Sequence, residues 1–131
     1  MKLKNLIPCL TLLIISCMNE SFRYEYADGN ANLYLLSETE LRYVPVSIEE
    51  SSTGLYSGGE PRNIPVTKAQ FHELKTLFDN ALDNSALHIK DRMKTSGLIS
   101  MIGSSSKAQC IIKPGCAEMI EIEKTLKRML D

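Results

Sequence analysis

The sequence predicts an α+β fold: a small, mostly antiparallel sheet with two amphipathic helices on one face, in the order βββαββ(β)α. Three observations carry that prediction. Short segments near Phe22–Tyr26, Ala31–Leu36 and Leu41–Ile48 alternate or run apolar between turn residues, as strands do. Two longer segments, Thr67–Leu82 and Ala117–Leu130, repeat apolar residues every three or four positions, as one-sided helices do. At 131 residues, 44% hydrophobic and 24% charged, the chain has material for one core rather than two.

The elements follow in order. Phe22, Tyr24 and Tyr26 alternate with Arg23 and Glu25, and Asp28-Gly29-Asn30 turns the chain. A second strand covers Ala31–Leu36 and a third Leu41–Ile48, in which Val44, Val46 and Ile48 share a face and Pro45 marks an edge or a break. Glu50–Asn63, "ESSTGLYSGGEPRN", is rich in Ser and Gly and long for a connection within one domain. Tyr56, Glu60 and Arg62 make it a candidate binding loop, with an amphipathic ring and adaptable charge. It also fits a surface loop, or a bulged hairpin whose tyrosine folds back on the sheet. Its glycines are not a phosphate loop, because no Lys-Ser or Lys-Thr follows.

Thr67 and Gln70 form a capping-box pair ahead of Phe71, Leu74, Leu77, Phe78, Ala81 and Leu82, with His72 off that stripe. Ile89, Asp91 and Met93 then alternate with His88, Lys90, Arg92 and Lys94, predicting a strand with one basic face, either an anion contact or a wetted surface. Thr95-Ser96-Gly97 turns into a strand over Leu98–Ile102, and Ala108–Ile112 makes another after a Ser-rich loop. The last helix turns Met119, Ile122, Leu126 and Met129 or Leu130 inward, with glutamates early and Lys and Arg late, as its dipole favours.

Ahead of these elements the chain carries a leader. Lys2 and Lys4 precede an apolar stretch from Leu6 to Ile15 that ends within a few residues at Ser16, Asn19 and Glu20. Such a run is too short to span a bilayer and has the form of a secretion signal. Ile14-Ile15-Ser16-Cys17 resembles the lipobox of bacterial lipoprotein precursors. The resemblance covers Met1–Cys17. It implies a signal peptide over 1–16, diacylglyceryl transfer to the Cys17 thiol, cleavage before Cys17, acylation of the new amino terminus, and a lipid-anchored tether over 17–21. Two or three acyl chains hold a membrane stably where one does not. Met18, rather than Asp, after the cysteine implies the outer membrane in a Gram-negative envelope. Cys9 follows Pro8 with little apolar sequence ahead of it, and leaves with the leader.

Removing Cys9 and lipidating Cys17 leaves Cys110 and Cys116, in "CIIKPGC", as an even pair in an oxidising compartment, where a disulfide is expected. Lys113-Pro114-Gly115 offers turn chemistry between them. Five intervening residues rather than two argue against a redox motif, and two cysteines with a distant histidine make no compact zinc set.

Function classes narrow accordingly. The part after residue 16 keeps 13 of the 15 basic residues, since Lys2 and Lys4 precede it, against all 16 acidic ones. That balance is not a nucleic-acid footprint. No GxSxG or HExxH motif appears, so neither catalysis nor a cofactor is expected. What remains is a lipid-anchored envelope module, 22–131, binding a protein or glycan through its loops. The alternative is an inhibitor or immunity protein that plugs a hydrolase with Gly54–Arg62.

Overall fold

The computed structural model describes residues 22–131; the leader, Cys17 and the tether lie outside the described residues. The chain forms β1 (Arg23–Ala27), β2 (Leu33–Leu36), β3 (Glu40–Val44), β4 (Arg62–Pro65), α1 (Lys68–Asp83), β5 (His88–Ile89), β6 (Gly97–Ile102), β7 (Lys107–Ile112) and α2 (Ala117–Leu130). The strands make one seven-stranded sheet in the order β4-β3-β2-β1-β6-β7-β5, with every neighbouring pair antiparallel. The α+β expectation with an antiparallel sheet and two helices therefore holds.

Period-two alternation explains the core. Tyr24 and Tyr26 on β1 point to the same side as their cross-strand partners Leu36 and Tyr34 on β2 and Met101 and Ile99 on β6. Leu74, Phe78 and Ala81 of α1 and Met119, Ile122 and Leu126 of α2 are buried in the same cluster. Each buried phenol hydrogen-bonds a helix carboxylate: Tyr24 Oη donates to Asp79 Oδ1 at 2.5 Å and Tyr26 Oη to Glu123 Oε1 at 2.7 Å. A buried tyrosine left without such a partner costs about 1–3 kcal/mol, so these bonds fix how each helix docks on the central strand. The helices lie antiparallel, with Arg128 of α2 reaching Glu73 of α1.

The α1 capping box forms as the sequence predicts, with Gln70 N–H donating to Thr67 Oγ1 at 3.1 Å and Thr67 N–H to Gln70 Oε1 at 2.9 Å. Other expectations change. β3 stops at Val44 because Pro45 has no N–H to continue the ladder. Its inward residues are Leu41 and Tyr43, while Val44 is 40% exposed on the opposite face. Arg62–Pro65, inside the expected loop and just after it, pairs with β3 as an edge strand, where proline is tolerated.

The basic face predicted over residues 88–94 does not form, since β5 is only His88–Ile89. His88 Nε2 lies 2.8 Å from the Ala81 carbonyl, which can only accept, so this nitrogen carries the proton. Arg92 is turned onto backbone, donating to the Ser96 carbonyl at 2.5 Å and the Asp28 carbonyl at 2.9 Å.

Candidate functional site

The register places three connections at one end of the sheet: the β1–β2 turn, the long β3–β4 loop and the β5–β6 turn. β1 begins at the other end, at Arg23. The residues of the candidate loop therefore lie at the end opposite to that where the N-terminal segment joins.

Asn32, 3% exposed, holds this end together. Asp28 Oδ1 accepts from the N–H groups of Asn30 and Asn32, both at 2.9 Å, making an Asx-type turn. Asn32 Nδ2 donates to Asp28 Oδ2 at 3.0 Å and to Tyr56 Oη at 2.9 Å, and its Oδ1 accepts from Val46 N–H at 3.0 Å. Gly58 closes the arrangement, since a Cβ there would stand 2.1 Å from Asn32 Oδ1. Its N–H donates to the Val46 carbonyl at 2.9 Å, and its own carbonyl accepts from Tyr43 Oη at 2.7 Å. The loop is thus tied down at both ends, and its tip projects, with Leu55 87% exposed.

Tyr56, Glu60 and Arg62 do not act together. Tyr56 folds back and spends its hydroxyl on Asn32. Glu60 and Arg62 instead border a cleft of about 440 Å³ on the helix side of the β2–β3 wing. Its other walls are Tyr34, Tyr43, Gly58 and Asp28, with Glu123, Lys127, Leu130 and Asp131 from the last turns of α2. The Tyr34 and Tyr43 rings lie 4.9 Å apart, and Tyr26 stands 6.0 Å from Tyr34, so an aromatic row crosses the sheet into the cleft.

Electrostatics set what these groups can do. Burial, and after it the charge of Asp28, raises the Tyr34 phenol well above the ordinary tyrosine range. Burial, then the neighbouring Tyr56 and Asp28, raises Tyr43. Both phenols keep their protons at neutral pH, so they serve as donors and ring surfaces rather than as bases or nucleophiles. Around them Arg62 and Lys127 supply cations, and Asp28, Glu60, Glu123 and Asp131 supply carboxylates. Among the described residues no group of three or more His, Cys, Asp or Glu is placed to hold a metal ion.

Cys110 and Cys116, expected to pair, are both free thiols. β7 continues through Ile112, so Cys110 still lies within the strand, and the turn that follows joins Cys116 N–H to the Lys113 carbonyl instead. Burial pushes the Cys110 thiol up to about 11. Cys116 is the N-cap residue of α2, half-buried at the edge of the core.

Sequence reasoning missed Asn32, Tyr34, Tyr43 and the Glu123–Lys127 wall. The alternation of Tyr34 with Leu36 and of Tyr43 with Leu41 was the signal for the two rings; nothing local signals that the last turns of α2 come to the same cleft. The fold and cleft define a two-layer α+β domain with one sheet face covered and an aromatic-floored cleft at its loop end. No protein-family model matches the chain, and no curated protein matches it.

Proposed function

We propose that this chain is a lipid-anchored lipoprotein of the cell envelope whose domain is a non-catalytic binding module, taking a glycan in the Tyr34–Tyr43 cleft. The cleft carries this reading. Sugar rings present C–H faces that stack on aromatic rings and hydroxyls that hydrogen-bond in pairs to carboxylates and guanidinium groups, and Tyr34, Tyr43, Glu60, Arg62 and Glu123 supply those partners. Its volume is within the usual range for a small-ligand site. The anchor part rests on the Cys17 lipobox. A tether of Cys17–Ser21 extends at most about 17 Å, which keeps β1 near the bilayer and turns the cleft outward. No helix among the described residues is long and apolar enough to cross a membrane.

Calorimetric titration of the detergent-solubilised full chain with soluble peptidoglycan fragments tests the cleft. Binding weakened about tenfold by Arg62→Ala, with circular dichroism unchanged, is the expected outcome. No heat with any fragment, or an unaffected variant, sinks the reading. Mass spectrometry of the mature N-terminus tests the anchor separately: an acylated Cys17 is expected, and any other first residue refutes it. One observation favours the inhibitor reading instead. Leu55 projects from a loop whose ends are pinned, the form of a plug for an enzyme cleft. Loss of a hydrolase-inhibiting activity on Leu55→Ser, with glycan binding absent, would establish it.

A further inference from the structure

The two edges of the sheet are protected differently. At β4 the edge is short and bounded by Pro61 and Pro65, which have no N–H to donate. At β7 the cover is partial: β5 pairs only with Ile111 and Ile112, and the chain then bends away at Lys90 and Asp91. Lys107–Cys110 is left as open edge. The β6–β7 hairpin closes with Gly103 N–H donating to the Ser106 carbonyl at 2.8 Å, and stepping in twos from that pair puts the bonds to β6 on Ala108, Cys110 and Ile112. On the other side Lys113 N–H donates to the Leu87 carbonyl at 2.9 Å, so the bonds to β5 fall on Lys113 and Ile111. By the same alternation the N–H and C=O groups of Gln109 and Lys107 point away from β6, and among the described residues no strand stands opposite them. The Gln109 side chain folds inward onto Ser100 Oγ at 3.1 Å, which leaves its main chain clear.

Beside this edge, on the face away from the helices, lies a cleft of about 540 Å³. Ile89, Leu98 and Ile111 floor it, Gln109 borders it, and Lys90 and Arg92 bring cations; no carboxylate lines it. Arg92 is held there by two backbone carbonyls, neutral partners that leave its charge uncompensated. Lys90 is exposed, and among the described residues neither cation is in an ion pair. Lys107 stands on the same face as Gln109, two residues further along the edge. Asp91 does not line the cleft, and Glu25, on the same face, lies two strands inward and is bound to Arg23.

We infer that the open edge of β7 takes an extended acidic segment of another protein as an added strand, antiparallel to β7 and in line with β5. Backbone and side chains agree on its form. A residue opposite Gln109 exchanges a pair of ladder bonds with it and, by the pleat, sets its side chain on the cleft side; a glutamate there lays its methylenes over Ile111 and turns its carboxylate toward Lys90 and Arg92. A residue opposite Lys107, two positions on, makes the next pair of bonds, and an acidic side chain there forms a cross-strand ion pair with Lys107. The partner therefore reads acidic-x-acidic, with ladder bonds supplying affinity and the charges supplying choice. Lys107 guards the edge against neutral and basic strands and selects this one. A second copy pairing edge to edge does not qualify, since it would bring its own Lys107 toward the same cations. The site lies on the opposite face from the Tyr34–Tyr43 cleft and shares no residue with it.

Fluorescence anisotropy of the detergent-extracted full chain is the test, with a labelled peptide blocked at both ends, Ser-Thr-Glu-Val-Glu-Val-Ser, as the probe. Saturable binding is expected, and the same peptide with both glutamates replaced by lysine should bind about tenfold more weakly or worse. Methylating the amide nitrogens of the two glutamates, which face β7, should abolish binding, whereas methylating those of the two valines, which face solvent, should leave it within about twofold. Gln109→Pro removes one outward N–H and leaves the β6 ladder intact, so with its circular dichroism retained it should lose about tenfold or more in affinity. Lys90→Glu and Lys107→Glu should each weaken binding about tenfold. No saturable binding, or equal binding of the lysine peptide, overturns the proposal. So does an unchanged affinity after methylation of the glutamate amides, a result that holds whether or not Gln109→Pro folds. Sensitivity to Lys90→Glu with Gln109→Pro unaffected would mean an anion held by the cleft alone, and overturns strand addition as well.

Discussion

Replacing Asn32 by alanine removes the side chain that fastens the long loop to the β1–β2 turn. Three hydrogen bonds go: two donated by Nδ2, to Asp28 and Tyr56, and one accepted by Oδ1 from Val46. At a net 0.5–1.5 kcal/mol each these sum to about 3 kcal/mol, and a stranded Val46 N–H would add about 1–3 more. The loop can open to water instead of bearing the second cost, so the loss should stop near 3 kcal/mol, or about 10 °C in Tm for a domain of this size. Urea melts measure the global part. Hydrogen exchange measures the local part, and the Val46 and Gly58 amides should lose protection before the amides of β1 and β6 do. Tyr56→Phe, which removes a single acceptor, should cost about 1 kcal/mol. If Asn32→Ala leaves both the melt and those two amides unchanged, the loop is held by something other than Asn32.

Three further outcomes follow from the packing. Gly58→Ala forces a methyl group against Asn32 Oδ1 and the Pro45 ring, and should destabilise by about 2 kcal/mol or more, read as a shift in the urea midpoint; a midpoint at the wild-type value refutes the contact. Alkaline stability has a definite sign. Tyr24, Tyr26, Tyr34 and Tyr43 are all raised from 10.0, chiefly by burial, and Cys110 is raised from 9.0 to about 11. The unfolded chain therefore releases protons first as pH rises, so stability from these groups is fully present below pH 9 and is lost progressively above it. Melting curves that stay level to pH 11 contradict this, and Tyr26→Phe should flatten the slope. Finally, alkylation of the detergent-extracted chain under native conditions should label Cys116 well before Cys110, whose thiol is buried and protonated; equal rates would mean that β7 opens readily.

How much of this was legible depends on the range of the interactions. Both helices were, because a capping box and a three-to-four-residue apolar repeat are local, and α2 runs from Ala117 to Leu130 as the repeat predicts. The strands that sequence reading misjudged are those defined by their neighbours. Arg62–Pro65 is extended because β3 offers it a ladder, and Pro61 before it and Pro65 at its end hide that fact. Val44, Val46 and Ile48 share a parity that looks like a core face, yet the sheet turns Leu41 and Tyr43 inward because Tyr34 and Leu36 of β2 already point there. His88 to Lys94 alternates like a strand, but Arg92 gains more from the Ser96 and Asp28 carbonyls than from a place in a basic row. The cleft was the least legible feature, since its walls come from β2, β3, the β3–β4 loop and the last turns of α2.

The central strand is also the first to appear. β1 finds its inner neighbour only when β6 arrives, and the bond from Tyr26 to Glu123 joins residues 97 positions apart. A hydrophobic centre that waits for the end of the chain gives a high contact order and slow closure. Until β6 is present, β1 is only the edge of a β1–β4 sheet with half of its ladder unpaired, and until α2 is present the helix face of that sheet is only partly covered. A polypeptide built this way completes its core only when its C-terminal helix is available, so a chain cut ahead of α2 loses the partners of both its central strand and Tyr26.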